Sequence, residues 1–205
     1  MTFKESTMKY RSVAFLLCAL GFGGCDSKLQ TKLPPPTAVA LKSIPSVDFL
    51  CWKNFPLGTR VVRRKTMTNS HGKTVVTTTL ELKTLNDQLA EVQSQITVDR
   101  DNDTLENPPD TFQYPANHKI PEEMSSEQFE FPVPEATLVK KETVRVLNKD
   151  YEASVYQWKA TLESGPVGVT GWFSNDFPGR QIRLEFDYSD DTTSVDEVIA
   201  VKFGS

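Results

Sequence analysis

The sequence predicts a mainly β fold: a single antiparallel sheet, curved or closed into a partial barrel, of about eight strands. Two observations carry this. Apolar and polar residues alternate through long runs, as where Val76, Thr78, Leu80 and Leu82 fall on one side and Val75, Thr77, Thr79, Glu81 and Lys83 on the other. Between the runs stand short turns rich in Gly, Asn, Asp and Pro, and short turns join antiparallel neighbours.

At the N-terminus Lys9 and Arg11 precede an apolar stretch from Val13 to Phe22, which ends in Gly23, Gly24 and Cys25. A basic region, an apolar region and small residues in that order form an export signal. A membrane-spanning helix needs about 20 apolar residues, and here the glycines, Asp26 and Lys28 arrive too soon. Phe22-Gly23-Gly24-Cys25 resembles the lipobox of bacterial lipoproteins, in which the cysteine is acylated and becomes the first residue after cleavage. Phe22 departs from the leucine usual three residues before that cysteine. Ala19-Leu20-Gly21 offers an ordinary secretory cleavage site as the alternative, and Met8 offers a second start. The resemblance implies residues 1–24 as a cleaved signal, Cys25 as the lipid attachment site and an address at a bacterial envelope membrane, facing periplasm or exterior. It implies no activity.

The whole chain carries 23 basic and 27 acidic residues. Loss of residues 1–24 leaves 20 and 26, a net charge of −6, which disfavours nonspecific nucleic-acid binding. Cys18 leaves with the signal and Cys25 goes to lipid, so Cys51 stands alone in the mature chain. Without acylation, a Cys25–Cys51 bridge becomes available.

Residues 25–46, with Pro34, Pro35, Pro36 and Pro45, read as a lipidated N-terminus and a semi-extended tether. The folded part is expected from Val47, where Phe49, Leu50 and Trp52 need burial, through residue 205. Gly58–Met67 and Lys73–Lys83 read as a hairpin about Asn69–Gly72. Asn86-Asp87 turns the chain into a third strand, in which Ala90, Val92, Ile96 and Val98 alternate, although Leu89, Val92 and Ile96 also fit a helical stripe. Residues 100–136 form a Pro-rich excursion, expected to be functional or to cover the sheet. Phe112, Tyr114, Phe129 and Phe131 suggest that part of it packs, and Pro121-Glu122-Glu123 suits the start of a helical turn. A second meander follows in strands Thr137–Val146, Tyr151–Leu162, Val167–Phe173, Arg180–Tyr188 and Val195–Phe203, each bounded by turn residues.

Chemistry is sparse. His71 sits in a turn and His118 in the excursion, and both read as solvated loop residues. No His or Cys spacing suits a metal, no Gly-rich phosphate loop follows a strand, and no cofactor is implied. Cys51 beside Trp52 reads as packed core, with a nucleophile served by His71 or His118 as the sharper alternative. Asp99, Asp101, Asp103 and Glu106 lack the glycine and distal glutamate of a calcium loop. Arg60, Arg63, Arg64 and Lys65 suit a charged edge strand, or contact with anionic lipid. Trp158 and Trp172, with Phe173, Phe177 and Phe186, are apolar anchors that read as packed core, and the functional alternative is a ligand cavity lined by Trp158, Trp172 and Phe177.

Asp150-Tyr151 entering a strand, and Trp172-Phe173-Ser174-Asn175-Asp176-Phe177-Pro178-Gly179 between two others, look like bacterial envelope proteins that are compared with half-barrel lipoprotein carriers. The likeness covers about 50 residues and implies a concave sheet that holds acyl chains. It carries over no binding residue. The sequence therefore points to a noncatalytic, lipid-anchored envelope protein that binds a hydrophobic ligand or an envelope component. A structural or interaction lipoprotein with a packed core is the alternative, and an envelope hydrolase is a third. Acylation makes a direct prediction: Cys25→Ser abolishes partitioning into the detergent phase, and a variant that stays with the membrane refutes the lipoprotein reading.

Overall fold

The computed structural model describes residues 40–69, 72–100, 103–126, 132–133, 135–162, 165–188 and 192–204. The signal, Cys25, Pro34–Pro36, His71, Asp101, Phe129 and Phe131 lie outside them.

The eight expected strands are present: β2 (Arg60–Asn69), β3 (Gly72–Leu85), β4 (Leu89–Arg100), β8 (Thr137–Val146), β9 (Lys149–Leu162), β10 (Gly165–Phe173), β11 (Gln181–Tyr188) and β12 (Thr193–Lys202). All pair antiparallel with sequence neighbours, and β12 also pairs with β2, from Ser194 opposite Met67 to Lys202 opposite Arg60. That pairing fuses the two meanders into one ten-stranded sheet, which does not close into a barrel. It also overturns one expectation. The basic strand β2 lies in the interior of the sheet, between β3 and β12, and is not an edge. Arg60 and Arg64 on one face are exposed, whereas Arg63 and Lys65 on the other are half-buried.

Four further strands escaped the sequence pattern because they are short and proline-bounded. β5 (Asp103–Glu106) and β6 (Asp110–Pro115) lie in the excursion and both pair with the outer side of β4, one along Thr97–Arg100 and the other along Leu89–Ser94. Pro108 and Pro109 lack the N–H that a continuous strand requires, so the chain covers this edge in two pieces. β7 (Asn117–Pro121) pairs with β1 (Leu41–Pro45) in a separate two-stranded sheet, with Ile44 and Ile120 buried. The folded chain thus begins ahead of Val47. Pro121 closes β7 in a hydrogen-bonded turn, with Met124 N–H donating to Pro121 O at 3.0 Å, in place of the expected helical turn.

The helix of the described residues is α1 (Val47–Lys53). Ser46 caps it by accepting from Phe49 N–H at 3.2 Å, while Asp48 in the first turn and Lys53 in the last suit the helix dipole. α1 turns Phe49, Cys51 and Trp52 inward and leaves Leu50 exposed. Trp52 and Phe49 join Val61, Leu82, Val92 and Phe177 in the main core. Tyr114 of β6 packs against this cluster, whereas Phe112 is exposed.

The loop 174–180 between β10 and β11 is the core's fastener. Its ends are tied by Ser174 N–H to Arg180 O at 2.9 Å and by Arg180 N–H to Phe177 O at 2.8 Å. Phe177 is wholly buried and meets Tyr151 edge to face at 5.3 Å between ring centroids. Gly179 adopts φ +74°, and a Cβ there would stand 2.9 Å from Trp52 Cζ2. Only glycine satisfies both the left-handed backbone and the close approach of the indole.

At the far end of the sheet β8 pairs with β9 alone. Its register shifts between Leu138 and Lys140, and the residues from Thr137 to Lys141 are exposed. The hairpin to β9 is tight: Val146 faces Lys149, and Leu147 takes φ 55°.

Phe177→Ala removes the ring on which Tyr151, Trp52 and the loop converge. It should cost about 3–5 kcal/mol of unfolding free energy. Denaturant titration with an unchanged midpoint would show that the loop does not fasten the core.

Candidate functional site

Where α1, β8, β9 and the 174–180 loop approach one another they leave a cleft of about 740 Å³. Each wall follows from local structure. The capped helix contributes Leu50 and Cys51, the β8 bulge presents Leu138, β9 contributes Tyr156, and the end of β10 contributes Phe173. Tyr156 and Phe173 pack edge to face at 5.9 Å and form, with Ala136, a second buried cluster. The polar end is charge-balanced, with Lys141 and Arg180 against Glu152 and Asp176. Arg180 holds its guanidinium 5.7 Å from the centre of the Phe173 ring, from a backbone at φ 65°.

Cys51 lies at the inner side of this cleft with 1% exposure, its thiol 4.0 Å from Asn175 Oδ1. Burial pushes the thiol from 9.0 up to about 12; the Arg180 guanidinium opposes that rise, and the Asp48 and Asp176 carboxylates add to it. At neutral pH the sulfur is therefore a protonated, weak donor and not a thiolate nucleophile. His118, one of its suggested bases, lies on β7 opposite Ile44. The cysteine's described polar partner is an amide, which suits a packed thiol.

The three expected cavity residues are not brought together. Trp158 stands opposite Val169 and Trp172 opposite Val155 in an unbroken β9–β10 register, so the two indoles project from opposite faces of the sheet. Trp158 packs on Phe173 at 6.4 Å and lines a broader, more open depression across β8 to β12. Trp172 donates from Nε1 to Glu142 Oε1 at 2.7 Å, beneath the Arg183 guanidinium at 5.4 Å. Hydrogen bonds from Lys140 and from Trp172 hold the Glu142 carboxyl below its ordinary value. Phe177 is in the main core.

Of the cleft residues, Leu138 went unmarked in the sequence, whereas Phe173 stood among its apolar anchors and Leu50, expected to need burial, is exposed at the mouth. One signal for their neighbourhood was present: Ser46, Asp48 and Lys53 are the cap and charge pattern of a short helix. The basic cluster divides as alternation requires. Arg60 shares Glu81 with Lys83, at 2.6 and 2.7 Å, while Lys65 lies 4.1 Å from the centre of the Phe186 ring on the other side. In the acidic run, Asp99 accepts from Thr104 Oγ1 at 2.7 Å across the β4–β5 hairpin. Among the described residues no group of three or more His, Cys, Asp or Glu side chains gathers as a metal site.

No protein family pattern and no curated protein matches the chain. Solved structures similar to it include a candidate lipoprotein from Parabacteroides distasonis, at 10% identity and a TM-score of 0.44, covering 74% of this chain and 98% of that one. A candidate exported protein with a YmcC-like fold from Bacteroides fragilis is similar at 10% identity and a TM-score of 0.42, over 74% of this chain and 98% of its own. The LolA superfamily protein NE2245 from Nitrosomonas europaea is similar at 11% identity and a TM-score of 0.27, over 79% and 94%. Scores this low fall short of establishing a shared fold, and they transfer no residue roles.

The buried thiol makes an alkaline prediction. Between pH 9.0 and about 12 the unfolded chain gives up the Cys51 proton while the folded chain keeps it. Stability is therefore full below that window and falls as pH rises through it. Cys51→Ala should flatten the decline in denaturant midpoint across that range. Tyr114, also raised to about 12 chiefly by burial, contributes equally to both proteins and cancels in the comparison. An unaltered slope would mean that the thiol is not held in the protonated form.

Proposed function

We propose that this is a noncatalytic, lipid-anchored cell-envelope protein that holds a hydrophobic ligand in the cleft beside α1. The observation that carries this reading is the cleft itself. Leu50 and Leu138 stand 43% and 44% exposed at its mouth, above the aromatic pair of Tyr156 and Phe173. Leaving large aliphatic side chains in water around a preformed hollow is unfavourable unless something apolar enters, and each side chain covered contributes about 1.5–3 kcal/mol.

In this reading Trp158 extends the apolar side of β9 beyond Tyr156. Phe177 acts from beneath by holding the 174–180 loop, and Trp172 braces the opposite face of the same strands. Acylated Cys25 supplies the membrane attachment, ahead of the folded part that opens with β1. Among the described residues no helix is long and apolar enough to cross a membrane.

A second reading, a structural or protein-interaction lipoprotein, is favoured by the density of the main core, where Trp52, Leu82 and Phe177 leave almost no exposed surface. One experiment separates the two. Natively purified protein is extracted with organic solvent, and extract and peptides are weighed by mass spectrometry. A stoichiometric lipid that is lost in Leu138→Glu supports the ligand-holding reading, and an acylated Cys25 peptide supports the anchor. Absence of bound lipid removes the first reading in favour of the second.

A further inference from the structure

We propose that the end of the sheet where β2 begins and β12 stops seats on an anionic lipid bilayer. Leu57 and Phe203 are 51% and 50% exposed there, and Phe55 stacks on Phe203 with ring centroids 6.0 Å apart. This is a fixed surface. Thr59 Oγ1 donates to Pro56 O at 2.7 Å, Gly58 N–H donates to Leu82 O at 2.8 Å, and Gly204 N–H reaches Thr59 Oγ1 at 3.5 Å. The turn before β2 and the residues after β12 are thereby tied to each other and to β3.

Beside these apolar groups stands a local excess of positive charge. Lys202 is the cross-strand partner of Arg60, and Arg60 is that of Glu81. Lys83 shares the same carboxylate. Two cations thus share one carboxylate while Lys202 stands on the next strand beside them, with Arg60 49% and Lys83 44% exposed, in a chain whose net charge is −4. Scattered exposed aliphatics are ordinary on a protein surface. Apolar tips together with a local positive excess, on an otherwise acidic protein, match the two demands of a bilayer surface: apolar area for the acyl boundary and positive charge for the headgroups. A protein partner would satisfy the apolar part without needing the charge.

The inference rests on the membrane anchoring proposed above and is independent of the cleft. The test uses native protein, with acylation of Cys25 checked by mass, in nanodiscs of phosphatidylglycerol or phosphatidylcholine with brominated acyl chains, which quench tryptophan. Phe203→Trp should add a quenched, blue-shifted emission over the unsubstituted protein in phosphatidylglycerol and lose the quenching in phosphatidylcholine. Adding Lys202→Glu should abolish it in phosphatidylglycerol too. Leu57→Trp provides a second reporter if the first variant does not show the native unfolding midpoint. Acylated protein on the disc with no quenching at either position overturns the seat, as does equal quenching in both lipids. A Cys25 found unmodified overturns the anchor on which the seat depends.

Discussion

The pairing of β12 with β2 is the constraint on which the remaining architecture depends. Without it the chain would be two meanders joined by a Pro-rich passage. With it, residues far apart in sequence become neighbours, and a strand bearing Arg60, Arg63, Arg64 and Lys65 is drawn into the interior of the sheet. Such a strand is tolerated because a sheet interior has two faces. Arg60 projects from one side to Glu81 and Lys65 from the other onto the Phe186 ring, while Arg63, on the same side of the strand as the buried Val61, lies beside Tyr114 with its Nε out of water. The same pairing sets Phe203 against Phe55 and so joins the end of β12 to the exit of α1.

A second dependence runs through Trp52. The helix α1 is too short to persist alone, since nucleation costs more than a seven-residue helix returns in hydrogen bonds. It persists because Trp52 is clamped between the sheet's core and the backbone of Gly179, while Phe177 fills the space beside Tyr151. Helix, loop and β9 are therefore one mechanical unit. The cleft they border inherits its shape from that packing, and Cys51 inherits its protonation from the same burial.

Alternation made most of the sheet legible from sequence. In β3 and β11 it predicted strands within a residue or two of their ends, because a strand with one covered face writes its orientation into every second residue. It failed where that condition fails. β5 and β6 are edge pieces, largely exposed, so their side chains carry no alternating pattern. α1 was hidden by its length, although Ser46 and Asp48 marked its start. The site was harder still. Trp158, Trp172 and Phe177 stood out as large aromatics, but size does not report the face of a sheet, and a strand register was needed to place the two indoles on opposite sides. Leu138 is marked only by a bulge, which composition cannot announce.

That bulge bears on how the molecule behaves in company. A ten-stranded sheet whose last strand has one partner presents an unfilled row of amides and carbonyls, a template on which a second chain would extend the ladder. β8 breaks the template where it is most exposed: the register slips at Val139, and Lys140 and Lys141 follow at once with two charges that an identical strand would have to oppose. The irregularity that opens Leu138 to the cleft is thus also one that works against strand addition at this edge.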